Sequence, residues 1–119
     1  MLAARYKFSP RIVDGIFSKA FRSKKSGYSI LVLPKEDVGS KMAVVLTSTV
    51  ARTSIRRHAI KRKIYNYLEN WVKLSNNPSM IIEEKCFYLI ILVTDWKLAE
   101  PQLRTQDWKE TIEYLLANN

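Results

Sequence analysis

The chain has little of what marks several common protein classes. It carries one cysteine, one histidine, three glycines and four prolines in 119 residues. A lone cysteine, Cys86, excludes an internal disulfide framework, and its place in an apolar run makes it a small hydrophobe. With one histidine there are no spaced Cys/His pairs for a zinc site. Acids are few, 11 against 20 lysines and arginines, and "EDV" and "IIEEK" place them in polar stretches that read as solvated. A protein-only nuclease needs convergent carboxylates to hold Mg²⁺, and none is evident. Asp95 follows a strand but has no nearby sequence partner, so it reads as a cap or turn residue. Ser9, Ser54 and Ser79 lack a nucleophile setting. The longest apolar run, "CFYLIILV", is far short of the roughly 20 residues that cross a bilayer. The opening "MLAARYKFSPR" has no signal-peptide core. The expectation is a soluble, cytoplasmic protein.

What is present is positive charge and a modest core. The hydrophobic share is 47% and the formal charge +9. This length suits one domain over 1–119, since domains commonly run about 100–150 residues. Such net charge costs self-repulsion; phosphate polymers are the commonest reason to keep it, acidic membrane surfaces the second.

Along the chain, residues 1–8 read as a basic arm. "SPRIVDGIFSKAF" reads as a helix capped by Ser9, with Pro10 in its first turn and Ile12, Val13, Ile16, Phe17 and Ala20 on one face. "RSKKSG" reads as a basic loop. "YSILVLP" and "MAVVLTSTV" read as strands, the second starting near Lys41. A helix over 54–72 follows, then a polar loop in which "MII" adds a short strand or simply packs. "CFYLIILVT" reads as a central strand covered on both faces. "DWKLAEPQLR" reads as a connector to a last helix, Gln106 to Ala117, capped by Thr105, with Trp108, Ile112, Leu115 and Leu116 inward. The expected class is α/β, a single-domain α-β sandwich in the order α-β-β-α-β-α, with room for one more strand.

"TSIRRHAIKRKIYNYL" concentrates the charge: six lysines and arginines stand from Arg52 to Lys63 without an acid. At helical spacing Ile60, Ile64, Tyr67 and Trp71 share a face that should meet the sheet. Arg57, His58, Lys61, Arg62 and Tyr65 occupy an adjoining arc that can remain outside, with Arg56 and Lys63 adding charge nearby. Cations crowded at a helix amino terminus oppose the macrodipole and repel one another. The plain reading is a solvated face; the functional one is a plate for a polyanion, where arginine grips phosphate with paired hydrogen bonds. Charge alone fits duplex DNA as well as RNA. No second recognition helix after a tight turn is present, and a sheet-supported plate with aromatics leans towards RNA.

At "ARTSIRRHAIKRKIYNYL" the chain resembles the protein subunit of bacterial ribonuclease P. That family opens a long helix with Arg-Asn-x-x-Lys-Arg; Arg57, Lys61 and Arg62 match the basic positions and His58 stands for the asparagine. Ser48 and Thr49 replace a lysine pair, Ala51 a glycine, and Val13 a usual aromatic. The element order also follows the family through nearly all of the chain.

The resemblance implies a fold related to a domain of a small-subunit ribosomal protein. It also implies a protein that binds a catalytic RNA and assists its Mg²⁺-dependent 5′ maturation of precursor tRNA. The protein would have no catalytic residue, metal site or organic cofactor of its own; Mg²⁺ comes with the RNA. By resemblance, Arg57, His58, Lys61 and Arg62 face the catalytic RNA, and Phe17, Val13 and Leu31 form a cleft for the single-stranded 5′ leader. The partners expected are that RNA and precursor tRNA, with no membrane and no obligate protein partner. A ribosomal-type RNA-binding protein without a role in cleavage is the main alternative, and a protein-only metallonuclease a distant third.

Overall fold

Two apolar runs pair first with each other and then with everything else. The computed structural model describes residues 7, 19–35, 40–75, 80–82, 85–105 and 108–117. "YSILVLPK" forms strand β2 (Tyr28–Lys35) and "CFYLIILV" forms β4 (Cys86–Val93), antiparallel in the register Ile30↔Ile91 and Val32↔Leu89. On the far side of β2 lies a short β1 (Phe21–Lys24), and on the far side of β4 lies β3 (Lys41–Leu46), parallel to it. The sheet order is β1-β2-β4-β3, so β4 is internal, as its continuous apolar sequence requires.

Helix α1 (Ser54–Ser75) makes the crossover from β3 to β4; α2 (Trp96–Thr105) and α3 (Trp108–Ala117) follow β4. Among the described residues the main core lies on the helix side, where Ile30, Val32, Leu89 and Ile91 meet Ile60, Ile64 and Leu68 of α1 and Ile112, Leu115 and Leu116 of α3. A smaller cluster of Leu31, Ala43 and Ile90 is buried on the opposite face, so β4 is covered on both sides.

Three expectations are corrected. "RSKKSG" is not simply a loop, because Phe21–Lys24 pairs with β2 as an edge strand in which Phe21 and Ser23 are half-buried and Arg22 and Lys24 exposed. "DWKLAEPQLR" is not a connector but most of α2, with Pro101 inside it. Thr105 ends this helix instead of capping the next, and its hydroxyl donates to the Pro101 carbonyl at 3.1 Å. Of the two readings of "MII", packing is the one seen: Met80 and Ile82 are buried, and Ile82 makes an isolated bridge with Lys85. The expected helix over 9–21 lies mostly outside the described residues, with Val13 and Phe17, and its last residue, Phe21, begins β1 instead.

The β1–β2 turn depends on Gly27, which has φ +81°. Its carbonyl accepts the N–H groups of Thr94 and Asp95, both at 2.9 Å, tying the hairpin to the end of β4. A Cβ at Gly27 would stand 2.7 Å from the Asp95 carbonyl oxygen, so both backbone angle and space require glycine there. Asp95 then caps α2 as expected, its Oδ1 accepting the Leu98 N–H at 3.3 Å.

Candidate nucleic-acid interface

The basic helix begins at a built cap. The Thr53 hydroxyl accepts the Arg56 N–H at 3.2 Å and its carbonyl accepts the Arg57 N–H at 3.1 Å. No acid stands in the first turn. The cations there face the wrong end of the helix dipole, an unfavourable placement of about 0.3–1 kcal/mol each that an external anion would offset.

The inward face is close to the one expected. Ile60 and Ile64 are buried, while Tyr67 and Trp71 are half-buried against the core. Leu68, absent from the expected stripe, is fully buried and extends it by another turn.

The outer residues do not form one plate. His58, Lys61 and Arg62 line a cleft of about 250 Å³ with Lys7, Tyr65 and Asn66, and no acid is among them. Arg56 instead lines a separate recess of about 350 Å³ with Thr94, Asp95, Trp96 and Lys97. Lys63, seven residues on, shares that α2-facing flank and is exposed. Arg57 is only half-exposed, and its Nε donates to the Ala51 carbonyl at 3.0 Å, so it also holds the helix entry in place.

Tyr65 is a correction to the outward arc. It packs half-buried against the core, and its hydroxyl oxygen accepts the Val44 N–H at 3.3 Å. Burial pushes the phenol above its ordinary range, while the Val44 hydrogen bond pulls it back in part. The Lys7 ammonium lies 4.7 Å from the centre of its ring, and Lys7 makes a parallel bridge with Met42.

Lys7 and Asn66 were missed from the sequence as lining residues. Asn66 could have been found, since it lies four residues after Arg62 and eight after His58. Lys7 could not, because it arrives from across the fold.

The leader-cleft residues fare differently. Val13 and Phe17 lie outside the described residues. Leu31 is 1% exposed at the centre of the second sheet face. It forms the floor of that face, and the half-buried Leu33, Tyr88 and Leu92 surround it.

No protein-family model matches the sequence, and no curated protein is similar to it at a significant level. Solved structures are. The RNase P protein from Thermotoga maritima superposes with a TM-score of 0.56 at 19% identity, over 96% of this chain and 94% of that one. The Staphylococcus aureus RNase P protein superposes with a TM-score of 0.55 at 10% identity, over 98% and 92%. The fold is that of the bacterial RNase P proteins. The T. maritima protein in complex with 1-(4-fluorophenyl)-2-thiourea gives a TM-score of 0.53 at 19% identity, over 91% and 90%. Within this RNase P protein fold, the stretch from Ser54 to Lys63 opens the helix that joins the two parallel strands.

Among the described residues no helix is long and apolar enough to cross a membrane. No three His, Cys, Asp or Glu side chains among them stand together as a metal site.

Proposed function

We propose that the chain is the protein subunit of a ribonuclease P ribonucleoprotein, acting in the cytoplasm. The observation that carries this reading is the basic cleft of Lys7, His58, Lys61 and Arg62 on a chain with the RNase P protein fold. Lys61 and Arg62 bind backbone phosphates of the catalytic RNA, Arg57 adds a contact at the helix entry, and His58 donates from a ring nitrogen in place of an amide. By resemblance, the cleft of Phe17 and Leu31, with Val13 at its edge, meets the 5′ leader of precursor tRNA. Mg²⁺ and the bond-breaking step belong to the RNA. The protein's part is to raise substrate affinity and neutralise phosphate charge, which counts most when divalent metal is scarce.

Reconstitution with bacterial ribonuclease P RNA tests this. The expected result is 5′ maturation of precursor tRNA at low Mg²⁺ that depends on the protein and weakens as salt rises. Tight binding to structured RNA with no gain in cleavage would favour the ribosomal-type alternative. Mg²⁺-dependent 5′ cleavage by RNA-free protein would overturn the assignment of chemistry to the RNA.

A further inference from the structure

We infer that the cleft between Lys7 and α1 takes one unpaired nucleotide, extruded from the RNA, rather than the outer phosphates of a duplex. This rests on the RNA-binding reading and adds to it the state of the strand. At about 250 Å³ the cleft falls just below the roughly 300–1,000 Å³ of ordinary small-molecule sites. It suits one unit of a polymer.

Its walls divide the chemistry of a nucleotide. Lys7, Lys61 and Arg62 supply positive charge for the phosphate, and among the described residues no carboxylate lines the cleft to compete for them. Asn66 brings both an amide donor and an acceptor, the pair needed to read a base edge or a ribose hydroxyl. His58 adds a ring nitrogen. The Tyr65 ring is a fixed wall, because its oxygen accepts the Val44 N–H and its body packs on the core. Lys7 belongs to a separate segment, joined to β3 by its bridge to Met42. An A-form duplex shows side chains a surface of phosphates and 2′-hydroxyls, whereas an unpaired nucleotide can enter a recess and present its base edge. A flat plate of cations would serve the duplex; a recess with an amide on its wall serves the extruded base.

The test is an NMR titration of the whole chain with two probes, a short single-stranded oligouridylate and a blunt RNA duplex of the same length. The oligouridylate should shift the His58 and Lys61 amides and the Asn66 side-chain amide together. The Lys7→Ala variant should bind it about fivefold more weakly, the loss of one charged contact, with a clearly smaller loss for the duplex. Three outcomes overturn the inference: equal loss for both probes, Asn66 shifts with the duplex as strong as with the single strand, or single-strand binding that leaves His58 and Asn66 unmoved. Each of these leaves the wider RNA-binding reading standing. Failure of both probes to bind at all would remove both.

Discussion

The two flanks of α1 both carry cations, but different partners face them. On the α2 side, acids are close. The Tyr67 hydroxyl donates to Glu100 Oε1 at 3.0 Å, Arg104 lies 3.8 Å from the same oxygen, and Arg56 shares its recess with Asp95. Burial and the Glu100 hydrogen bond both push the Tyr67 phenol up. On the β3 side, Lys61 and Arg62 meet Lys7, a tyrosine ring and an amide, and among the described residues no acid lines the cleft. On the α2 side charge of both signs shares one surface. Positive charge left unanswered points to a partner, and the basic stretch as a whole concealed that difference.

Leu68 holds both flanks in place, so its replacement should have the largest effect. Leu68→Ala should lose about 2–5 kcal/mol in urea unfolding, while the folded fraction keeps its RNA affinity. Wild-type stability in that variant would mean that the helix is anchored elsewhere.

Next come the cations. Lys61→Ala and Arg62→Ala should each weaken binding to ribonuclease P RNA about tenfold and flatten the salt dependence by about one counterion. Arg56→Ala and Lys63→Ala should do clearly less in the same anisotropy titrations. Equal losses on the two flanks would break the comparison.

Arg57→Ala tests the boundary between the flanks. Beyond its RNA effect it should lose about 1 kcal/mol of stability, because the Ala51 carbonyl loses its donor. An Arg57→Ala variant that binds RNA poorly but unfolds like wild type would make Arg57 a binding residue alone.

The smallest effect belongs to the Tyr65 hydroxyl. Tyr65→Phe should lose at most about 1 kcal/mol at neutral pH. Burial raises the Tyr65 phenol in the folded state, so its contribution is complete below the ordinary tyrosine value near 10 and fades as pH rises through the folded value. The wild-type advantage over Tyr65→Phe in urea midpoint should therefore shrink in alkali. A constant difference would place Tyr65 in an unperturbed setting.

Much of this was legible because burial leaves a pattern in sequence. "YSILVLP" reads as a strand and "CFYLIILV" as one covered on both faces, and Ile60 and Ile64 show which way the basic helix turns. The misses have local causes. Phe21–Lys24 is too short and too basic to read as a strand, and its pairing comes from β2. "DWKLAEPQLR" read as a connector, yet α2 runs from Trp96 to Thr105 with Pro101 inside it. Leu68 was passed over for the aromatics beside it, which are only half-buried. Tyr65 has a surface residue's spacing, and nothing near it in sequence announces that Val44 will hold its oxygen. The recess around it was not legible either, since Lys7 closes it from more than fifty positions away.

The contacts that build the cleft wall also close the edge of the sheet. β3 is an outer strand, and "KMAVVL" is the apolar, β-prone sequence to which a second chain could add. Val44 spends its outward N–H on Tyr65, and Met42 is bridged by Lys7. Damage on this flank should therefore show itself twice, as weaker RNA binding and as self-association by strand addition. Removing Lys7 and the Tyr65 hydroxyl together should produce concentration-dependent oligomers in sedimentation, whereas replacing Lys61 and Arg62 should leave a monomer. A binding residue that doubles as an aggregation guard can be lost only at the expense of solubility.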